Sequence, residues 1–154
     1  MFRQAIDTGV SSNSPFDLNR FIEAQASTYD RALGEIRRGR KASHWMWYIF
    51  PQIAGLGFSD MSKHYAIASL AEAQAYLAHP ILGIRYRECV AALQDFIGTS
   101  AAAMLGDVDA AKLRSSLTLF SVAAPSEQMF TAALNRWFDG NADGRTLELL
   151  HGYS

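Results

Sequence analysis

Apolar side chains recur at three- and four-residue steps in one segment after another, and that spacing restricts the fold more than any other feature of the chain. Leu18, Phe21, Ile22, Tyr29, Ala32, Leu33 and Ile36, with Gln25 on the same line, form the first such stripe. A face of this kind belongs to an amphipathic helix. Its predicted start is Ser14-Pro15-Phe16-Asp17, an S-x-x-D capping box with proline at the first helical position, where a missing N–H costs nothing. Arg37 and Arg38 sit against the dipole at its end, and Gly39 terminates it. Residues 1–13 carry Gly, Ser, Asn and Thr without periodicity and are expected to form a flexible arm, leaving 14–154 as the folded domain.

The same logic divides the rest of the chain. Ser59 is expected to cap a helix through about Ile67, and Ser69-Leu70-Ala71-Glu72 is a second capping box, opening a helix to about Ala78. Pro80 begins a longer helix striped by Leu82, Tyr86, Cys89, Val90, Leu93 and Ile97 and stopped by Gly98. A short Ala-rich turn at 101–105 follows. Asp107 is expected to cap the helix of Leu113, Leu117 and Phe120. Pro125 opens another, with Phe130, Ala133, Leu134, Trp137 and Phe138, closed by Gly140, and 147–151 make a last turn. Few runs alternate with a β period, and no fixed repeat or linker divides the chain. The expectation is an all-α, single compact domain of about seven helices of unequal length, in irregular, orthogonal packing rather than an up-and-down bundle.

Composition narrows the function. The 154 residues hold 14 Lys plus Arg against 15 Asp plus Glu, a formal net charge of −1, so no overall field favours DNA or an anionic membrane. One cysteine, Cys89, excludes an internal disulfide framework and a multi-cysteine zinc cluster. No apolar run is long enough for a signal peptide or a membrane span. The chain is therefore expected in the cytoplasm, with no cofactor or metal implied.

Residues 44–50, His44-Trp45-Met46-Trp47-Tyr48-Ile49-Phe50, are a dense aromatic run ended by Pro51. Read as a short helix begun at Ser43, the run places Trp45 and Trp47 about 200° apart, so no single face buries both. One indole should then face a cleft or solvent. Together with Gly39-Arg40-Lys41-Ala42-Ser43, Ile49-Phe50-Pro51-Gln52 and Gly55-Leu56-Gly57, this run resembles a bacterial domain-of-unknown-function family numbered eighteen-ten. The pattern is matched again at His79-Pro80-Ile81-Leu82-Gly83-Ile84-Arg85 and from Asp109 through Lys112-Leu113-Arg114-Ser115-Ser116-Leu117-Thr118-Leu119-Phe120. The resemblance covers roughly residues 17–150 and implies a mainly helical domain without a settled activity. Members are sometimes labelled calpastatin, a disordered inhibitor, which does not suit a chain with packed apolar stripes. A fainter likeness, through Pro80, Leu82, Gly83 and Arg85, is to a family that processes NAD-derived and ADP-ribose-like compounds; Ser43 stands where that family has a Glu before its His.

Each candidate site residue has two readings. The indoles of Trp45 and Trp47 suit stacking on a planar ligand, or they anchor the core. His44 is a candidate general acid or base, or it satisfies backbone groups at a helix start. Asp109, Lys112 and Ser116 lie at i, i+3 and i+7, bordered by Ser115: an anion-binding stripe, or a solvated face whose ion pair is worth well under about 1 kcal/mol. The glycines of 55–57 offer backbone N–H groups to a phosphate, or simply make a turn. The cluster 37–41 is the cationic end of a helix, or meets phosphate or RNA. No metal-ligand spacing appears. The leading expectation is a small phosphate-bearing ligand, a nucleotide or NAD-derived compound. Trp45 or Trp47 would stack, and Lys41, Arg85 and Lys112, with Asp109, would set the charge. Gln52, Ser59, Ser115 and Ser116 would orient polar groups, and His44 would move a proton. The alternative is a non-catalytic interaction or self-association domain, with a homo-oligomer as its product.

Overall fold

The computed structural model describes residues 15–153, with side chains through His151. Among these residues it is all-helical, with ten helices and a lone parallel bridge between Ile53 and Ile67. In chain order they are α1 (Asn19–Ala26), α2 (Tyr29–Arg38), α3 (Met46–Ile49), α4 (Asp60–His64), α5 (Leu70–Ala78), α6 (Leu82–Asp95), α7 (Ala101–Leu105), α8 (Asp107–Ala123), α9 (Gln128–Phe138) and α10 (Gly144–Tyr153). None is long and apolar enough to cross a membrane.

The count exceeds the expected seven because single stripes are broken and short turns are helical. Between α1 and α2, the Thr28 hydroxyl donates to Ala24 O at 2.7 Å and the Thr28 amide to Gln25 O at 3.2 Å. A side chain competing for main-chain acceptors interrupts the helical ladder while leaving the apolar stripe in line. Two of the prolines do not open helices as expected, while Pro80 does stand at the start of α6, where Gly83 N donates to His79 O at 3.0 Å. Pro15 and Phe16 lie in a bend and α1 begins at Asn19; Ser14 of the proposed capping box and the 1–13 arm lie outside the described residues. Likewise Pro125 lies in a turn, and α9 starts only after Glu127, which Arg87 grips with two hydrogen bonds of 2.7 Å. Ser59 and Ser69 do cap, accepting from the amides of Ser62 and Glu72. Gly39 ends α2 with φ at +75°, a conformation that favours glycine.

The core is built around α8, which packs against α3, α5, α7, α9 and α10. Phe120 of α8, Tyr86 of α6 and Phe130 of α9 meet there, the Tyr86 and Phe120 centroids 4.3 Å apart. Tyr76 and Phe50 close the cluster. Buried tyrosine hydroxyls need partners, and Tyr86 finds Ser116 at 2.9 Å. Close helix approach is enforced at Gly83, where an added Cβ would lie 2.0 Å from the Leu77 carbonyl oxygen.

Candidate functional site

The segment between α2 and α3 is held by one carboxylate. Glu35, 2% exposed, accepts from the amides of Ala42 (2.7 Å) and Ser43 (3.1 Å), the Ser43 hydroxyl (2.6 Å) and Trp45 Nε1 (2.8 Å). Burial alone would raise its pKa, but the bonds from Ser43, Ala42 and Trp45 favour the charged form more strongly and lower it from 4.5 to about 2. Trp45 is thereby sealed into the core at 1% exposure. The helix expected from Ser43 begins only at Met46, with Trp45 at its N-cap at φ −135°, and Trp47 inside it does not share the Trp45 environment.

Trp47 is half-buried and walls a cavity of about 590 Å³, a volume within the range of small-molecule sites. The opposite wall is residues 54–66, whose ends are tied by the Ile53–Ile67 bridge: Ala54 N donates to Ile67 O and Ile67 N to Gln52 O, both at 2.8 Å. From this loop Gly55, Leu56, Gly57, Ser62, Lys63 and Tyr65 face the cavity, with Gln52 at its base. The floor is α8, through Val108, Ala111, Lys112 and Ser115. The lining is thus largely apolar, with two lysines, Lys112 and the exposed Lys63, and a few hydroxyl- and amide-bearing residues among it.

Charge is arranged around Asp109. One carboxylate oxygen lies 2.9 Å from Lys41 Nζ, whose side chain is largely withdrawn from water; the other lies 3.6 Å from Lys112 Nζ. Each ammonium also sits over an indole, Lys41 5.2 Å from the Trp45 ring and Lys112 4.8 Å from the Trp47 ring. Trp47 Nε1 is buried without a hydrogen-bond partner among the described residues, so the indole is held by packing and by the cation on its face.

Four predicted residues therefore line the cavity: Trp47, Gln52, Lys112 and Ser115. Lys41 and Asp109 stand behind Lys112 as its charged support. The structure takes five elsewhere. Trp45 and Ser116 are sealed in the core on Glu35 and Tyr86. Ser59 caps α4 outside the lining. Arg85 stacks 4.7 Å over Tyr29 and donates to Gln25 Oε1, away from the cavity. His44 is exposed and does not contribute to the lining. Sequence reasoning missed Glu35, Ser62, Lys63 and Tyr65. For Glu35 a signal existed: an acid directly before a buried stripe residue and followed by a donor-rich Gly-Arg-Lys-Ala-Ser turn. Nothing in the spacing of Lys63 sets it apart from any surface lysine. Among the described residues no group of three or more His, Cys, Asp or Glu is placed to hold a metal.

The family model described as protein of unknown function (DUF1810) matches residues 15–150. The chain belongs to the DUF1810 family. Its structure is similar to the crystal structure of a conserved hypothetical protein, Rv1873, from Mycobacterium tuberculosis, at 46% identity and a TM-score of 0.88. The match covers 90% of this chain and 99% of that one. No curated protein matches the chain. The DUF1810 stretches read from sequence, around Trp47, Gln52 and Lys112, are the ones that meet at the cavity.

Proposed function

We propose that the cavity between residues 54–66, Trp47 and α8 binds a small phosphate-bearing ligand, a nucleotide or NAD-derived compound. One arrangement carries this reading: Lys41 already neutralises Asp109 at 2.9 Å, which leaves Lys112 a net cation at the wall of an aromatic-sided hollow. An ion pair withdrawn from water is costly to assemble, and a structural role alone does not call for a third charge beside it. Trp47 and Tyr65 offer aromatic surface to a planar group, Gln52 and Ser62 offer polar contacts, and the backbone of 55–57 forms part of the wall. No proton-transfer role is proposed for His44, which lies off the lining. Titration calorimetry of the full chain against AMP, ADP, NAD and ADP-ribose should give one-to-one binding of at least one compound, abolished by Trp47→Leu. Absence of heat with all four overturns the reading.

Self-association is supported by one separate feature, the exposed apolar side chains Phe58, Ile84, Ile97 and Val108, with Phe58 at 81%. These sit on different elements. Sedimentation across a concentration series should show dimer formation weakened by Phe58→Ser, and a monomer throughout removes this second reading.

A further inference from the structure

The two walls of the cavity differ in how they are held. α8 is the centre of the fold, packed on five helices. The facing wall carries α4, five residues long, with no buried side chain and no extensive packing on any other helix among those described. This wall leaves the body of the protein at one neck. Besides the Ile53–Ile67 bridge, Arg20 clamps its C-terminal end, donating to His64 O and Ala66 O at 2.8 Å while paired to the buried Glu72 at 3.0 Å. The other end has Gly55 at φ +104°, so the chain can turn there without the cost an L side chain would add. Gly55 lies against Leu149 and Leu56 packs on the core; beyond them the side-chain hydrogen bonds of 57–63, between Ser59 and Ser62, stay within the segment.

Lys63 is the last-turn cation of α4, lines the cavity and makes no ion pair among the described residues. Lys112 approaches the same hollow from the floor. Two like charges facing one cavity repel across it, and an anion placed between them reverses that balance. Resting on the ligand reading above, we propose that residues 57–63 form a lid hinged at Gly55 and Leu56 and that Lys63 is its anion contact. The cavity then selects a multiply charged phosphate group clasped between Lys63 and Lys112. A ligand with the same planar part but no phosphate would occupy the cavity without drawing the lid down.

ADP and adenosine separate the charge from the planar group. Lys63→Met and Lys112→Met keep most of each stem while removing the ammonium. Each should weaken ADP by about tenfold, the scale of one charge-assisted contact, and change adenosine by less than about twofold. Hydrogen exchange at the amides of 57–63 should slow on adding ADP to the wild type, and not on adding it to Lys63→Met. ADP affinity unchanged in Lys63→Met, or equal loss of ADP and adenosine, overturns the lid contact. If Lys112→Met alone loses ADP, the ligand reading stands and the lid fails; if the wild type binds neither compound, the lid contact fails, and the ligand reading falls with it only when AMP, NAD and ADP-ribose give no heat either.

Discussion

Trp45 and Trp47 are two residues apart in one short aromatic run, and the protein uses them in opposite ways. Trp45 is fully enclosed and gives its N–H to a buried carboxylate. Trp47 has no partner for its N–H among the described residues, lines a cavity and carries a lysine on its face. The difference is set by what lies opposite each ring. A buried side chain with every polar group satisfied contributes to stability; Trp47 instead stands at the edge of a hollow, beside a lysine that also pairs with Asp109 at 3.6 Å. The adjacent serines of α8 divide in the same manner. Ser116 is bonded to Tyr86 in the core, while Ser115 lines the cavity with its hydroxyl turned to Ala111 O at 3.1 Å.

The contrast can be broken most directly at the indoles. Trp45→Ala should lower the free energy of unfolding by about 3–5 kcal/mol, a large aromatic cavity made next to a carboxylate that has lost a donor. Trp47→Ala should cost clearly less, and urea denaturation of the two variants measures the gap. Equal losses would mean that Trp47 is as much a core residue as Trp45.

Acid sharpens the comparison from the other partner. Glu35 has its pKa depressed in the folded state, so its contribution is complete above the unfolded value near 4.5 and is lost as pH falls toward about 2. A shift of that size corresponds to about 3 kcal/mol. Wild-type stability should fall by an amount of that order between pH 5 and 2, as an order-of-magnitude figure. Glu35→Gln, less stable at neutral pH, should show a flatter profile over the same range. Parallel profiles would remove Glu35 as the charged anchor of the Trp45 segment. The smallest effect is expected at the serines: Ser116→Ala should cost about 1 kcal/mol by leaving Tyr86 short of a partner. Ser115→Ala should leave the thermal midpoint nearly unmoved, since its hydroxyl only returns to its own helix.

How far the sequence reached varies with the kind of interaction. Helix type was readable wherever the stripe was long, as in α6 and α8, because one-sided burial imposes its own period. The short helices α4 and α7 and the break at Thr28 were less readable, since hydrogen bonds between neighbours decide them and leave no period. At the cavity, Trp47, Gln52, Lys112 and Ser115 were legible as residue types worth watching. Arg85, in a motif of equal weight, went to Tyr29 and Gln25 instead.

By itself the amino-acid order determined that this chain is helical and where most of its longer helices lie. Only the tertiary structure decided which indole is closed off, that Lys41 and Lys112 share Asp109, and that Lys63 lines the same hollow. The physical reason is range. Periodicity and capping act over a few residues and are written locally. Burial and charge balance depend on distances between segments far apart in the chain, set only when α2, α4 and α8 have all found their places around the core.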